Sequence, residues 1–322
     1  MNRRTSVDFA GNWVKRFAVF RRLRLGVILF LLAGLAGVPA VDAATTKKEK
    51  KNGRRSRSSA SAVYAQEPDP SVLFQDGLRQ PPIIEAKSAI VLDPKTGKVL
   101  YDKGAELRRQ AASTQKLLTA LIVAEAGNLG EPIRVEAVDT NCEPTKLGLR
   151  PGDVYRRGTL LQALLVKSAN DVARCLARSH SGSVEAFADT MNRKAYQLGL
   201  TGSHFVNPNG LPAPGQYSTA RDIARIARYA YMNPTIRNIV STQTLHFQYA
   251  DGHVSDLRNT NKILGVNPYC NGMKTGYTNA AGHCLVASGN MNGQNVIAVL
   301  MASRKAVWAD ANNLLNWALG AQ

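Results

Sequence analysis

Residues 273–301 read MKTGYTNAAGHCLVASGNMNGQNVIAVLM, and the division of that stretch decides the fold. Met273–Thr278 and His283–Ser288 are short β-rich runs flanking Asn279-Ala-Ala-Gly282, and Asn295–Met301 is a third. Apolar runs of this length around a turn-forming tetrapeptide predict an antiparallel hairpin. A second hairpin lies upstream, where Asp93-Pro-Lys-Thr-Gly-Lys98 joins Ser88–Leu92 to Val99–Asp102. Between the two, the apolar period changes from two to about 3.6 residues. Leu117, Leu118, Leu121 and Ile122 follow Ser113 on one helical face that ends at Gly127. Leu160, Leu161, Leu164 and Leu165 form another stripe, and Val184, Phe187, Met191 and Leu198 a third, closed by Gly199. Thr219 and Asp222 form a capping-box pattern ahead of Ile223, Ile226 and Ala230, and Val307–Leu319 is a last helical stretch. Strands, helices, strands, helix is the order of an α+β fold. It predicts an antiparallel sheet covered by helices, with an inserted helical subdomain over about 128–250, rather than a doubly wound parallel sheet.

The chain has 322 residues, 44% hydrophobic and 20% charged, which fits globular domains and excludes collagen-like or polytopic membrane classes. Its net charge of +18 suggests nucleic acid until it is mapped. Residues 1–66 hold 14 Lys and Arg against Asp8, Asp42 and Glu49, and so carry +11 of that charge. With 7% aromatic residues and no zinc-finger or RNA-recognition signature, no nucleic-acid partner is expected. Arg21, Arg22 and Arg24 precede the apolar run Leu25–Val38, and small residues follow up to Ala43. This is an export-signal pattern over 1–43, with an uncleaved anchor as the alternative, and it places the rest outside the cytoplasm. Residues 44–82 read as a linker, basic and low in complexity as far as 66, so the folded domain is expected over 83–322. The basic segment is either a solvated spacer or an arm attracted to anionic lipid or cell-wall polymer. Among Cys142, Cys175, Cys270 and Cys284 three pairings are possible. Cys175 falls on an apolar helical face and reads as a buried free thiol, while Cys270 and Cys284 are out of register about their hairpin.

The chemistry emerges partly by elimination. The chain has no Gly-x-Ser-x-Gly elbow, His-Glu-x-x-His, Cys/His cluster, Walker loop or dinucleotide fingerprint, so neither a metal nor a cofactor is expected. Three short motifs remain: Ser113-Thr-Gln-Lys116 at a helix start, Ser168-Ala-Asn170 after an apolar helix, and Lys274-Thr-Gly276 on a strand. A serine hydroxyl becomes a nucleophile when a base takes its proton, and residues three apart on a helix share a face. Lys116 can therefore reach Ser113 Oγ. To act as a base it must be neutral, which burial, a helix N-terminus and a second cation such as Lys274 all favour. Backbone N–H groups of Ser113 and Tyr277 are candidates for an oxyanion hole.

These motifs, in this order, resemble the penicillin-binding proteins and serine β-lactamases, and most of all the low-molecular-mass D-alanyl-D-alanine carboxypeptidases. The likeness covers about residues 83–320 and includes Phe205-Val-Asn-Pro-Asn-Gly-Leu211 and Tyr217-Ser-Thr-Ala-Arg-Asp222. It implies a β-lactamase/transpeptidase-like fold in which Ser113 is acylated, Lys116 is the general base and Ser168 relays a proton to the leaving group. By the same likeness, Asn170 holds the substrate amide and Lys274 and Thr275 bind the terminal carboxylate. Gly276 lets substrate lie along the strand edge, and Arg304 adds a second positive charge. The implied partners are peptidoglycan stem peptides, with β-lactam antibiotics as covalent inhibitors. Many relatives add a β-rich domain and an amphipathic tail after the catalytic domain. This sequence stops at Gln322 after the last helix, so attachment by a C-terminal helix is not expected. Glu143-Pro-Thr145 is similar to part of the deacylating loop of class A β-lactamases but precedes Ser168, and no glutamate follows Glu185. The resemblance therefore implies slow release of β-lactams. A DD-endopeptidase and a weakly catalytic penicillin-recognising sensor stand as alternatives. Lys95-Thr-Gly97 repeats the third motif but sits in a hairpin turn.

Overall fold

The computed structural model describes residues 72–74, 77 and 79–321. The strands are β1 (Val72–Phe74), β2 (Ser88–Leu92), β3 (Val99–Lys103), β4 (Pro132–Arg134), β5 (Val154–Arg156), β6 (Thr244–Gln248), β7 (Val254–Arg258), β8 (Cys270–Thr278), β9 (Gly282–Met291) and β10 (Gln294–Ser303). The helices are α1 (Lys116–Glu125), α2 (Ala137–Thr140), α3 (Arg157–Val166), α4 (Asn170–Ser181), α5 (Val184–Gln197), α6 (Ala220–Met232), α7 (Pro234–Val240) and α8 (Val307–Leu319), and a 3-10 turn at Ala112–Gln115 leads into α1.

Six strands form one sheet in the order β1-β3-β2-β10-β9-β8, and each adjoining pair is antiparallel. Successive strand residues point to opposite faces, and both faces of β9 and β10 are buried, which explains their unbroken apolar runs. Leu285, Ala287, Val296, Ala298 and Leu300 pack with Val307, Ala311, Leu314 and Leu315 of α8. Val286, Ile297, Val299 and Met301 face the other way, into a core shared with Leu117, Leu121, Ile223 and Ile226. Helix α1 lies inside this second layer, packed against α3, α4 and α6. Asp310 of α8 is buried and accepts the backbone N–H groups of Glu85 (3.0 Å) and Ala86 (2.9 Å), tying the last helix to the chain entering β2.

The structure revises some expectations. Strand β1 pairs with β3, Val72 opposite Lys103, so the sheet begins before Ile83 and part of the stretch expected to be linker belongs to it. The region expected to be helical holds α2–α7 but also β4, β5 and β6, and α6 packs directly on β2 and β10. The four cysteines are free thiols, with Cys175 buried; Gly289 lies opposite Cys270 and Gly276 opposite Cys284, which confirms the register mismatch. The export signal over 1–43 and the basic segment 44–66 lie outside the described residues. Among the described residues no helix is long and apolar enough to cross a membrane.

Candidate active site

At Ala112 the backbone turns to a φ of 48°, and Ser113 follows in the 3-10 turn without capping it through its side chain. Lys116, the first residue of α1, is 0% exposed. Its Nζ lies 2.7 Å from each of three oxygens: Ser113 Oγ, Asn170 Oδ1 and the Asn209 carbonyl. Two of these can only accept hydrogen bonds, whereas the hydroxyl can also donate. Nζ donates to all three; once deprotonated it keeps two N–H donors for the two acceptors and can turn its lone pair to the Ser113 proton. Burial, and then the nearby Lys274, push Lys116 well below the usual lysine range, against weaker opposing effects of Cys142 and Asp171.

Strand β8 supplies the second lysine. Lys274 is 1% exposed, and its Nζ donates to Ser168 Oγ (2.7 Å) and to the Thr275 carbonyl (3.0 Å). Burial brings its pKa down to about 7. Ser168 joins α3 to α4 with a φ of 66°, a conformation costing roughly 1–2 kcal/mol for a residue bearing a Cβ. The three motifs thus meet as two serine–lysine pairs.

Asn170 is held by the chain itself. Its Nδ2 donates to the carbonyls of Glu143 and Pro144 (3.0 Å each), and its Oδ1 serves Lys116. These bonds place the amide beside Lys116 at the floor of the site. Asn209 was not singled out from the sequence, yet its carbonyl holds Lys116 and its Nδ2 donates to the Asn170 carbonyl (2.8 Å). The only signal was its place in the 205–211 stretch. Gly276 has a reason beyond the strand edge: a Cβ there would sit 2.8 Å from Ser113 N and 3.0 Å from Thr114 N, so its absence lets β8 approach the nucleophile turn.

Ser113, Ser168, Thr275, Gly276 and Tyr277 line one cleft of about 400 Å3. Tyr277 is 57% exposed, with its ring 4.5 Å from that of His283. Arg304 does not join them. It is exposed, and the Glu85 carboxylate accepts the backbone N–H groups of 304, 305 and 306, fixing that turn. An exposed cation, Lys262, lines the cleft, 5.6 Å from the Trp308 ring centroid. Beside it the Thr275 hydroxyl donates to Thr260 Oγ1 at 2.6 Å. Lys262, Thr260, His283 and Trp308 also line the cleft or its rim, and none stands in a motif that would mark it in the sequence. A larger cavity of about 740 Å3, bounded by Arg156, Gln162, Pro234 and Asn238, includes none of these reactive groups. No cluster of His, Cys, Asp or Glu able to hold a metal occurs among the described residues.

Residues 76–305 match the family model of D-alanyl-D-alanine carboxypeptidases, peptidase family S11. The chain belongs to that family. This S11 member is 34% identical over 235 residues to the D-alanyl-D-alanine carboxypeptidase DacF of Bacillus subtilis, a match covering 71% of this chain and 60% of the relative. It therefore spans less than two thirds of that relative's length. It is 33% identical to DacB2 of Mycobacterium tuberculosis, covering 72% of this chain and 81% of the relative. A D-alanyl-D-alanine endopeptidase of Escherichia coli is also 33% identical, covering 73% of this chain and 78% of the relative. The crystal structure of a D-alanyl-D-alanine carboxypeptidase from M. tuberculosis superposes with a TM-score of 0.73 at 31% identity, over 78% of this chain and 97% of the other. The fold is the β-lactamase/transpeptidase-like α+β fold of that family.

Proposed function

We propose that this S11 member is a serine-type D-alanyl-D-alanine carboxypeptidase acting on peptidoglycan stem peptides outside the cytoplasm. The observation that carries the reading is the buried Lys116 amine, 2.7 Å from Ser113 Oγ and held by two acceptor-only oxygens. Lys116 Nζ takes the Ser113 proton as Oγ attacks the carbonyl carbon of the penultimate D-alanine. Backbone N–H groups of Ser113 and Tyr277 stabilise the oxyanion, a contribution of roughly 2.7–4 kcal/mol per donor. Ser168, bonded to Lys274, passes a proton to the departing amine, and free D-alanine leaves. Water then cleaves the Ser113 ester. Lys274 and Thr275 attract the terminal carboxylate, with Lys262 as an added cation at the cleft mouth. β-Lactams carry the same carboxylate beside a strained amide and acylate the same serine.

The endopeptidase relative is as similar as the carboxypeptidases, so a second reading concerns the leaving group alone: a cross-linked peptide's amine in place of D-alanine. Incubation with a disaccharide pentapeptide and with its cross-linked dimer, followed by mass analysis, separates the two. Loss of one alanine from the pentapeptide is expected. Conversion of dimer to monomers without that loss would replace carboxypeptidase with endopeptidase, and penicillin labelling with no turnover of either would leave a sensor. The basic segment 44–66 is read as an arm for anionic membrane or wall polymer, to be tested by salt-sensitive co-sedimentation with isolated walls.

A further inference from the structure

We propose that Asp171 is a positioning residue for acyl transfer, coupling the loop that walls the cleft to the grip on Lys116. It follows Asn170 in α4, yet none of the sequence motifs assigns it a part. The carboxylate is 1% exposed. It accepts the backbone N–H groups of Leu147 (2.9 and 3.1 Å), Gly148 (2.8 Å), Leu149 (3.2 Å) and Val172 (2.9 Å). The hydrogen bonds it receives come from backbone N–H groups, and none of the salt bridges among the described residues includes it. A carboxylate is left in such a place only when those donors replace its water.

The loop it gathers is the one that reaches the reactive groups. Pro144 and Thr145 line the cleft together with Ser113 and Ser168. The carbonyls of Glu143 and Pro144 accept from Asn170 Nδ2, and that of Thr145 accepts from the Asn170 backbone N–H at 2.7 Å. With these bonds fixed, Asn170 Oδ1 is aimed at Lys116. The anion also acts directly on the base. The charged and titratable groups around Lys116 are Lys274 from β8, Cys142 from the loop and Asp171 from α4; the first favours the neutral amine and the other two the ammonium. Tyr249, next to β6, also feels the Asp171 charge. Removing that charge therefore lets Lys116 deprotonate at lower pH, which the loss of a purely structural hydrogen bond would not do.

This inference rests on the acylation of Ser113 by way of Lys116. The test is the rate at which a fluorescent penicillin acylates the full chain, from about pH 5 to about pH 9, in wild type, Asp171→Asn and Asp171→Glu. Asp171→Asn is expected to lose roughly 10²-fold in rate, as a displaced reacting group does, and to shift its acid limb to lower pH. Asp171→Glu keeps the charge and should keep the limb where it is while losing less rate. An Asp171→Asn protein at the wild-type rate overturns the inference, and so does one that is slower with an unmoved limb. If the variants do not fold, hydrogen exchange in the wild type decides: the amides of 147, 148 and 149 should be as protected as those of α4, and exchange as fast as an exposed loop overturns the anchoring. Labelling that survives Ser113→Ala strikes the parent reading, whereas an ineffective Asp171→Asn beside a silent Ser113→Ala strikes this one alone.

Discussion

Lys116 draws its reactivity from its surroundings, and each component can be tested by itself. Lys116→Ala should slow acylation of Ser113 by about 10²–10⁴-fold, the usual contribution of a general base, read as the rate of fluorescent penicillin labelling. The pH dependence follows from the two lysines. Acylation rises with pH as Lys116 loses its proton, which begins well below the usual lysine range. Lys274 is an ammonium below about pH 7 and neutral above it, so its attraction for a carboxylate fades as pH rises through that value. For a peptide ending in D-alanine, kcat/KM should therefore be bell-shaped, while its amidated counterpart lacks the alkaline fall. Identical alkaline limbs would remove Lys274 from carboxylate recognition. Lys262→Ala should raise KM for the acid-ended peptide by up to about fivefold, an effect that fades with salt, as befits an exposed charge. The serine–lysine pairing was legible because three-residue spacing on a helix is local. The place of Lys262 was not, since it stands in no motif and reaches the cleft from the segment between β7 and β8.

Elements bring the motifs together by close backbone approach, and two glycines mark where. Gly210 has a φ of 84°, and a Cβ on it would lie 1.9 Å from the Ala112 carbonyl oxygen. Gly210→Ala and Gly276→Ala should each abolish penicillin labelling by displacing the nucleophile turn, even where circular dichroism still reports a folded protein. At the other end of the sheet, Asp310→Ala leaves the N–H groups of Glu85 and Ala86 unpaired. At about 1–3 kcal/mol for such a loss, and about 2–4 °C per kcal/mol for a domain of this size, the melting temperature should fall by several degrees. The long helices and the β8–β9–β10 meander were legible from apolar period alone. Strands β6 and β7 carried little signal, since each buries a single residue, Phe247 or Leu257, among exposed neighbours. Strand β1 is three residues long and gains its identity from β3 rather than from its own composition. Lys95-Thr-Gly97 is turn chemistry, as its place after Asp93-Pro94 implies: Asp93 accepts the Lys95 N–H (2.7 Å) and the Thr96 hydroxyl (2.9 Å).

Across the whole molecule, the composition of the cleft bears on antibiotic fate. No acidic side chain lines it among the described residues, and exposed Glu143 contributes only its carbonyl, to Asn170. The penicilloyl ester on Ser113 should therefore outlast many catalytic cycles on peptide, as measured by the persistence of label after a chase; rapid, sustained penicillin hydrolysis would contradict this. Two amines sealed in a protein interior also make activity depend on dryness. Burial is the chief cause that holds Lys116 well below the usual lysine range, so any loosening that wets the cleft favours a hydrated ammonium before the sheet comes apart. Low urea should silence the enzyme while its far-ultraviolet spectrum is still native, with the inactivation midpoint lying below the unfolding midpoint and activity returning on dilution.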